Sequence, residues 1–143
     1  MSHLAAIDPG RSKCGLVLAD PEASRVLAAG VLPPLRCREL LLQWCNQHPF
    51  AKVLLGDGTG SQPWLPWLAE QQLSTLLVQE AGTTLAARER YWQLERPRGW
   101  RRLLPRGLRL PPRDVDDVVA QILLERHLDR LLTRTSDLKL LER

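Results

Sequence analysis

Three apolar runs of strand length crowd into the first 32 residues, and the links between them are too short for anything but hairpins. Residues 3–8, "HLAAID", and 14–20, "CGLVLAD", are separated by a turn at Pro9-Gly10, and 25–32, "RVLAAGVL", follows the tight turn "DPEAS". Parallel neighbours need a crossover of about a dozen residues or more, so these strands pair antiparallel. After Pro33-Pro34 the pattern changes. Residues 36–47 carry Leu40, Leu41, Trp44 and Cys45 at helical spacing, 52–56 form a short apolar strand, and 63–72 form a helix with Pro63 in its first turn. Residues 75–80, "TLLVQE", make another strand, followed by a helix from Thr83 or Thr84 to about Leu94, an Arg/Pro/Gly-rich loop over 95–113, and a last helix from about Val115 to Leu132. Strands that alternate with helices run parallel. The expected fold class is α/β, with a mixed five-stranded sheet, three antiparallel strands then parallel ones, flanked by helices in a single domain over 1–143.

Composition narrows the partners. No run of about 18 apolar residues occurs, so no membrane span is expected, and the N-terminus lacks the basic-then-apolar order of a signal peptide. Cys14, Cys37 and Cys45 form no CxxC pair and are read as reduced thiols of a cytoplasmic protein. The net charge of +4 is unevenly spread: Arg88 to Arg109 holds eight Arg against two Glu, which leaves the remainder at −2. Of 20 basic residues 17 are Arg, whose planar fork suits phosphate. The expected partner is therefore nucleic acid, with Arg88, Arg98, Arg101, Arg102 and Arg106 as phosphate contacts, joined by Arg11 and Lys13 of the first turn. Trp100, set among these arginines, either stacks on a base or packs the loop down.

Acids stand where a core does not want them. Asp8 ends the first strand, Glu80 closes "TLLVQE", and Asp57 follows "KVLLG". In sheets of this kind ligands bind beyond the carboxyl ends of the strands. At about 100° per residue, Asp116 lines up with Ala120, Leu123, His127 and Leu131 on the apolar face of the last helix. Gln121, Glu125 and Asp129 fall on the far side, and Asp117 lies at the edge of the apolar face. Two carboxylates about 4 Å apart repel by roughly 4 kcal/mol at an effective dielectric of about 20, so clustered acids need protons or a divalent cation. All-oxygen ligands suit Mg²⁺ or Mn²⁺, the usual apparatus for phosphodiester hydrolysis. Asp8, Glu80 and Asp116 are the candidate catalytic and metal-binding residues, with Asp117 the neighbouring possibility.

"AIDPGRSKCGLVLAD", "LLVQEAGTTLAARERYW" and "DVDDVVAQILLERHL", in that order, resemble the first-acid, second-acid and closing-helix segments of the RuvC-like and YqgF-like nucleases of the ribonuclease H superfamily. The compact cyanobacterial members, related to Holliday junction resolvases, are the most similar in carrying an Arg/Pro segment before the last helix. The resemblance implies a ribonuclease H-like fold and metal-dependent endonuclease cutting of branched DNA junctions or ribosomal RNA precursors. It also implies a homodimer where two strands must be cut. Asp8 matches the first metal acid, Glu80 the second, and Asp116 or Asp117 the helix acid. Relatives often show Asp-Glu-Arg where this chain has Gln79-Glu80-Ala81. That departure motivates the alternative, a catalytically inactive nucleic-acid-binding module on the same fold; a scaffold that docks an acidic partner through the Arg segment is a third possibility.

Other chemistries are poorly served. "GDGTGSQ" is not a phosphate loop of the GxxxxGK[ST] type, and the three histidines lack zinc spacing with the cysteines. His127 is expected to be packed or interfacial.

Overall fold

In the computed structural model, residues 3–47, 50–95, 97, 99–105, 108–135 and 138–141 are described. The chain runs β1 (His3–Asp8), β2 (Cys14–Asp20), β3 (Arg25–Leu32), α1 (Pro34–Gln47), β4 (Phe50–Gly56), α2 (Trp64–Glu70), β5 (Thr75–Val78), α3 (Thr83–Leu94), a 3₁₀ turn (Gly99–Leu103), α4 (Asp116–Leu128) and β6 (Lys139–Leu140). The sheet order is β5-β4-β1-β2-β3-β6. The two hairpins are antiparallel, whereas β4 pairs with β1, β5 with β4, and β6 with β3 in parallel. Asp20 closes the second hairpin by accepting the Glu22 and Ala23 amides at 3.1 and 3.3 Å.

Both faces of the sheet are covered, which is why β1 and β2 read as nearly continuous apolar runs. Odd positions of β1, Ala5 and Ile7, pack with Leu40, Leu41 and Trp44 of α1 and Trp64 and Leu68 of α2. Even positions, Leu4 and Ala6, face Ala120 and Leu124 of α4. A third cluster, with Ala87, Tyr91, Val118 and Ile122, joins α3 to α4. α4 is thus apolar on two sides, one for the sheet and one for α3. Among the described residues no helix is long and apolar enough to cross a membrane.

Several boundaries differ from expectation. The sheet has six strands among the described residues, not five. Two residues, Lys139 and Leu140, form the extra strand, and a pair that short carries no readable alternation. Helix α1 starts at Pro34, because a first-turn proline forfeits no helical hydrogen bond. Strand β5 ends at Val78, before Gln79 and Glu80. Helix α4 stops at Leu128, where Asp129 adopts a left-handed conformation (φ 54°) and returns its amide to the Glu125 carbonyl.

Beyond that stop the chain becomes a strap along β3. Val26 donates its amide to the Thr133 carbonyl at 2.8 Å, and Leu141 donates to Ala29 at 2.9 Å. Leu132 is fully buried, and its amide reaches Glu125 Oε2 at 2.7 Å. Strap and β6 together cover the edge that β3 would otherwise leave open.

Candidate active site at the ends of β1, β5 and α4

The end of β1 is crowded by design of the backbone around it. Asp8 pairs with Gly15 across the first hairpin. A Cβ at position 15 would overlap the Asp116 carbonyl, so glycine alone lets the first turn of α4 rest on β2 beside Asp8. From the other side, the Glu80 carboxylate lies over Gly56 and Gly58, where a Cβ would strike Oε1 and Oε2 respectively. Asp57 fixes the approach: its Oδ1 accepts the Glu80 amide at 3.0 Å. The Glu80 carbonyl in turn accepts from the Thr83 hydroxyl at 2.6 Å and the Thr83 amide at 2.9 Å, which anchors the start of α3.

Asp8, Glu80 and Asp116 therefore approach one another from three elements far apart in sequence. Burial, then hydrogen bonding and repulsion from Glu80, then the charge of Asp116, push the Asp8 carboxyl up to about 9. Burial also raises Asp116, while Lys13 draws it back. Two carboxylate oxygens, Glu80 Oε1 and Asp116 Oδ2, are buried without a hydrogen-bond partner. Buried oxygens in that state are costly and call for a proton or a cation. The donor chemistry thus fits a hard divalent ion. Among the described residues, however, no three His, Cys, Asp or Glu side chains already stand in a metal-binding arrangement.

Asp117 is a correction to the expected ligand set. It is buried, and its carboxylate accepts from Arg113 Nη1 at 2.8 Å and from Arg134 Nη1 at 3.0 Å. Although burial works the other way, these two guanidinium groups hold the carboxyl below the usual range. The assignment of helix faces is corrected with it. Gln121 and Glu125 share Asp117's line and are buried, not solvent-facing, and His127 is exposed, not packed. Arg90, reaching from α3, binds Glu125 with Nε at 3.1 Å and Nη2 at 2.8 Å and also donates to the Leu132 carbonyl at 2.9 Å. Gln121 links the network to Arg134, whose Nε lies 2.7 Å from Oε1.

The expected phosphate contacts divide. Lys13 is engaged by acids, with Nζ 2.6 Å from Asp114 Oδ2 and 3.9 Å from Asp116 Oδ2, so it belongs to the acid site rather than to a free basic surface. Arg11, Arg88 and Arg102 are exposed. Trp100 is 63% exposed, with the Arg101 guanidinium 5.0 Å from its ring centre. Packing of the loop is done by other residues. Arg109 Nε donates to the Arg101 and Leu104 carbonyls at 3.0 Å, and Trp92 Nε1 donates to the Arg109 carbonyl at 3.0 Å. Arg98 and Arg106 lie outside the described residues.

The sequence pattern missed two contributors. Asp57 was visible only as an acid after a strand, not as the group that holds Glu80. Gly15 gave no signal, since its role depends on a helix near the other end of the chain. The sequence matches no protein-family model and no curated protein.

Proposed function

We propose that the protein is a divalent-metal-dependent endonuclease of the RuvC-like or YqgF-like kind, on a ribonuclease H-like fold. It hydrolyses phosphodiesters in structured nucleic acid, either branched DNA junctions or ribosomal RNA precursors. The observation that carries this reading is the pair of buried carboxylate oxygens without a hydrogen bond, Glu80 Oε1 and Asp116 Oδ2, beside an Asp8 carboxyl raised to about 9. Asp8, Glu80 and Asp116 would hold Mg²⁺ or Mn²⁺, which supplies an activated water and steadies the leaving oxygen. Asp57 and Gly15 position two of those acids, and Lys13 tempers the charge of Asp116. The exposed Trp100 with the Arg101 guanidinium against its ring, and the exposed Arg102 next in sequence, gives an aromatic surface with cations, the combination that binds unpaired nucleotides. Symmetric cutting of a four-way junction would require two copies.

A cleavage panel of four-way DNA junctions, flaps and precursor RNA stem-loops, with and without Mn²⁺, tests the reading. Wild-type protein is expected to cut one class, and Asp8→Asn to cut none while remaining folded. Absence of cutting across the panel removes the enzyme assignment.

A second reading is a nucleic-acid-binding module without catalysis. It is favoured by the lack of a ready three-acid metal arrangement among the described residues and by Gln79 and Ala81 flanking Glu80. It predicts salt-dependent binding to the same panel with no cleavage.

A further inference from the structure

A second feature touches the acid site from the α1–α2 side of the sheet. A cleft of about 360 Å³ opens there, walled by Gly10, Arg11, Arg38, Thr59, Gly60 and Trp64, together with two prolines. Its walls are continuous with the acids. Gly10 follows Asp8 by two residues, and a Cβ at Gly60 would come within 2.8 Å of the Gly10 carbonyl. The loop that carries Thr59 and Gly60 also carries Gly58, which lies under the Glu80 carboxylate.

The charges of this cleft are unlike those elsewhere. A larger cavity of about 620 Å³ holds Arg113 and Arg134, and both are bound to Asp117. Another, of about 450 Å³, holds Arg90, which is bound to Glu125, and also Arg126 and Arg130, with the carboxylates of Glu89 and Asp129 in the same lining. The cleft beside Gly10 has two cations and, among the described residues, no carboxylate in its lining. Arg38 is held by stacking, not by an acid. Its guanidinium sits 5.3 and 5.2 Å from the ring centres of Trp64 and Trp67, and its Nη2 makes a long bond of 3.4 Å to the Pro63 carbonyl. The Nε has no hydrogen-bond partner. Glu39, one residue on, is taken by Arg36 at 3.0 Å. The guanidinium is thus fixed in place with its charge uncompensated, a preorganised state in which little ordering remains to be done on binding. Arg11 is exposed and makes no ion pair among the described residues.

We propose that this cleft is a phosphate subsite that seats a backbone phosphodiester of the bound strand next to the one at Asp8. Arg38 and Arg11 supply the two cations, and the Thr59 hydroxyl a neutral donor. The proposal rests on the nucleic-acid reading above and adds a direction to it. The strand runs over the 57–60 loop toward α1, on the opposite sheet face from the Trp100 loop, so the acids lie between two basic grips.

The test is equilibrium binding of a synthetic four-way DNA junction and a stem-loop RNA in EDTA, where no cutting occurs, across a salt series. Arg11→Gln and Arg38→Gln are each expected to weaken binding about five- to tenfold and to reduce the salt slope by about one ion per lost contact. Arg38→Lys keeps the slope but loses the planar fork and part of the affinity. Thermal unfolding checks that Arg38→Gln is folded, and Arg11→Gln, at an exposed turn, gives the answer independently. Unchanged affinity and slope in both Gln variants, or a wild-type protein that binds neither probe, overturns the subsite. A wild-type protein that binds but never cuts, with variants that lose slope, removes the nuclease reading and leaves the subsite standing. Inorganic phosphate is titrated separately by thermal shift. A shift abolished by Arg38→Gln, with strand binding unaffected, would mark a free-anion site and overturn the placement of the strand.

Discussion

Helix α4 separates two polar clusters, one buried and one half-buried, whose acids are treated in opposite ways. On one side Asp117, Gln121 and Glu125 meet Arg113, Arg134, Arg90 and the Leu132 main chain, so nearly every charge has a partner. On the other side Asp8, Glu80 and Asp116 meet chiefly one another, with Lys13 nearby but bound more closely to Asp114. Neighbouring residues in sequence, Asp116 and Asp117, therefore have unrelated roles. A compensated cluster is structure: it ties α3, α4 and the strap together. An uncompensated one carries a standing cost that a proton or a cation removes. The two clusters differ in burial and in partners alike: the more deeply buried acids are the ones that arginines hold.

The contrast can be broken most severely at Asp8. Asp8→Asn is expected to reduce Mn²⁺-dependent cleavage to background while raising the melting temperature, because the amide no longer has to take up a proton for the chain to fold at neutral pH. Next in size is the closed cluster. Arg90→Met leaves Glu125 buried without its cation and should cost about 3–5 kcal/mol in urea unfolding, the usual penalty for breaking a buried pair. Added Mn²⁺ should sharpen the comparison further. At about 100 times its dissociation constant a native-state ligand contributes roughly 2.7 kcal/mol, and Asp8→Asn should abolish that gain while Asp117→Asn should not.

A further effect is in pH, and its sign differs between clusters. The folded-state pKa of Asp8 lies above its ordinary value, so its contribution is fully present below about pH 3.8 and is lost as pH rises toward about 9. The stabilisation by Asp8→Asn should accordingly grow over that range. Asp117 is shifted downward, so its contribution is present at neutral pH and is lost on acidification. The cost of Asp117→Asn should shrink as pH falls below the ordinary carboxylate range. Melting curves carried from well below the ordinary Asp value of 3.8, where the Asp117 contribution is lost, up to the raised Asp8 value of about 9 distinguish the two trends.

Local signals were enough to read the hairpins, the alternation of strands and helices, and the placement of Asp8 at the end of its strand; Glu80 falls two residues past the end of β5 rather than closing it. Each depends on a turn or a period contained within a few residues. The faces of α4 were not legible. "DDVVAQILLERHL" is apolar toward both the sheet and α3, so counting 100° steps could not tell which polar residues were enclosed. Gln121 and Glu125 are buried because Arg90 arrives from 35 residues earlier and the strap from beyond the helix. Lys13 was likewise assigned to phosphate because its partner Asp114 is 101 positions away. Strand β6 exists only through the register of its neighbour β3.

Gly15 gives the acid site an unusual kind of control. The separation between the carboxylates of β1 and α4 is governed by how closely two backbones can touch, at a position that bears no functional group of its own. The spacing of those acids is consequently set from behind, by a missing methyl, and such a gauge stays invisible to any comparison restricted to charged residues.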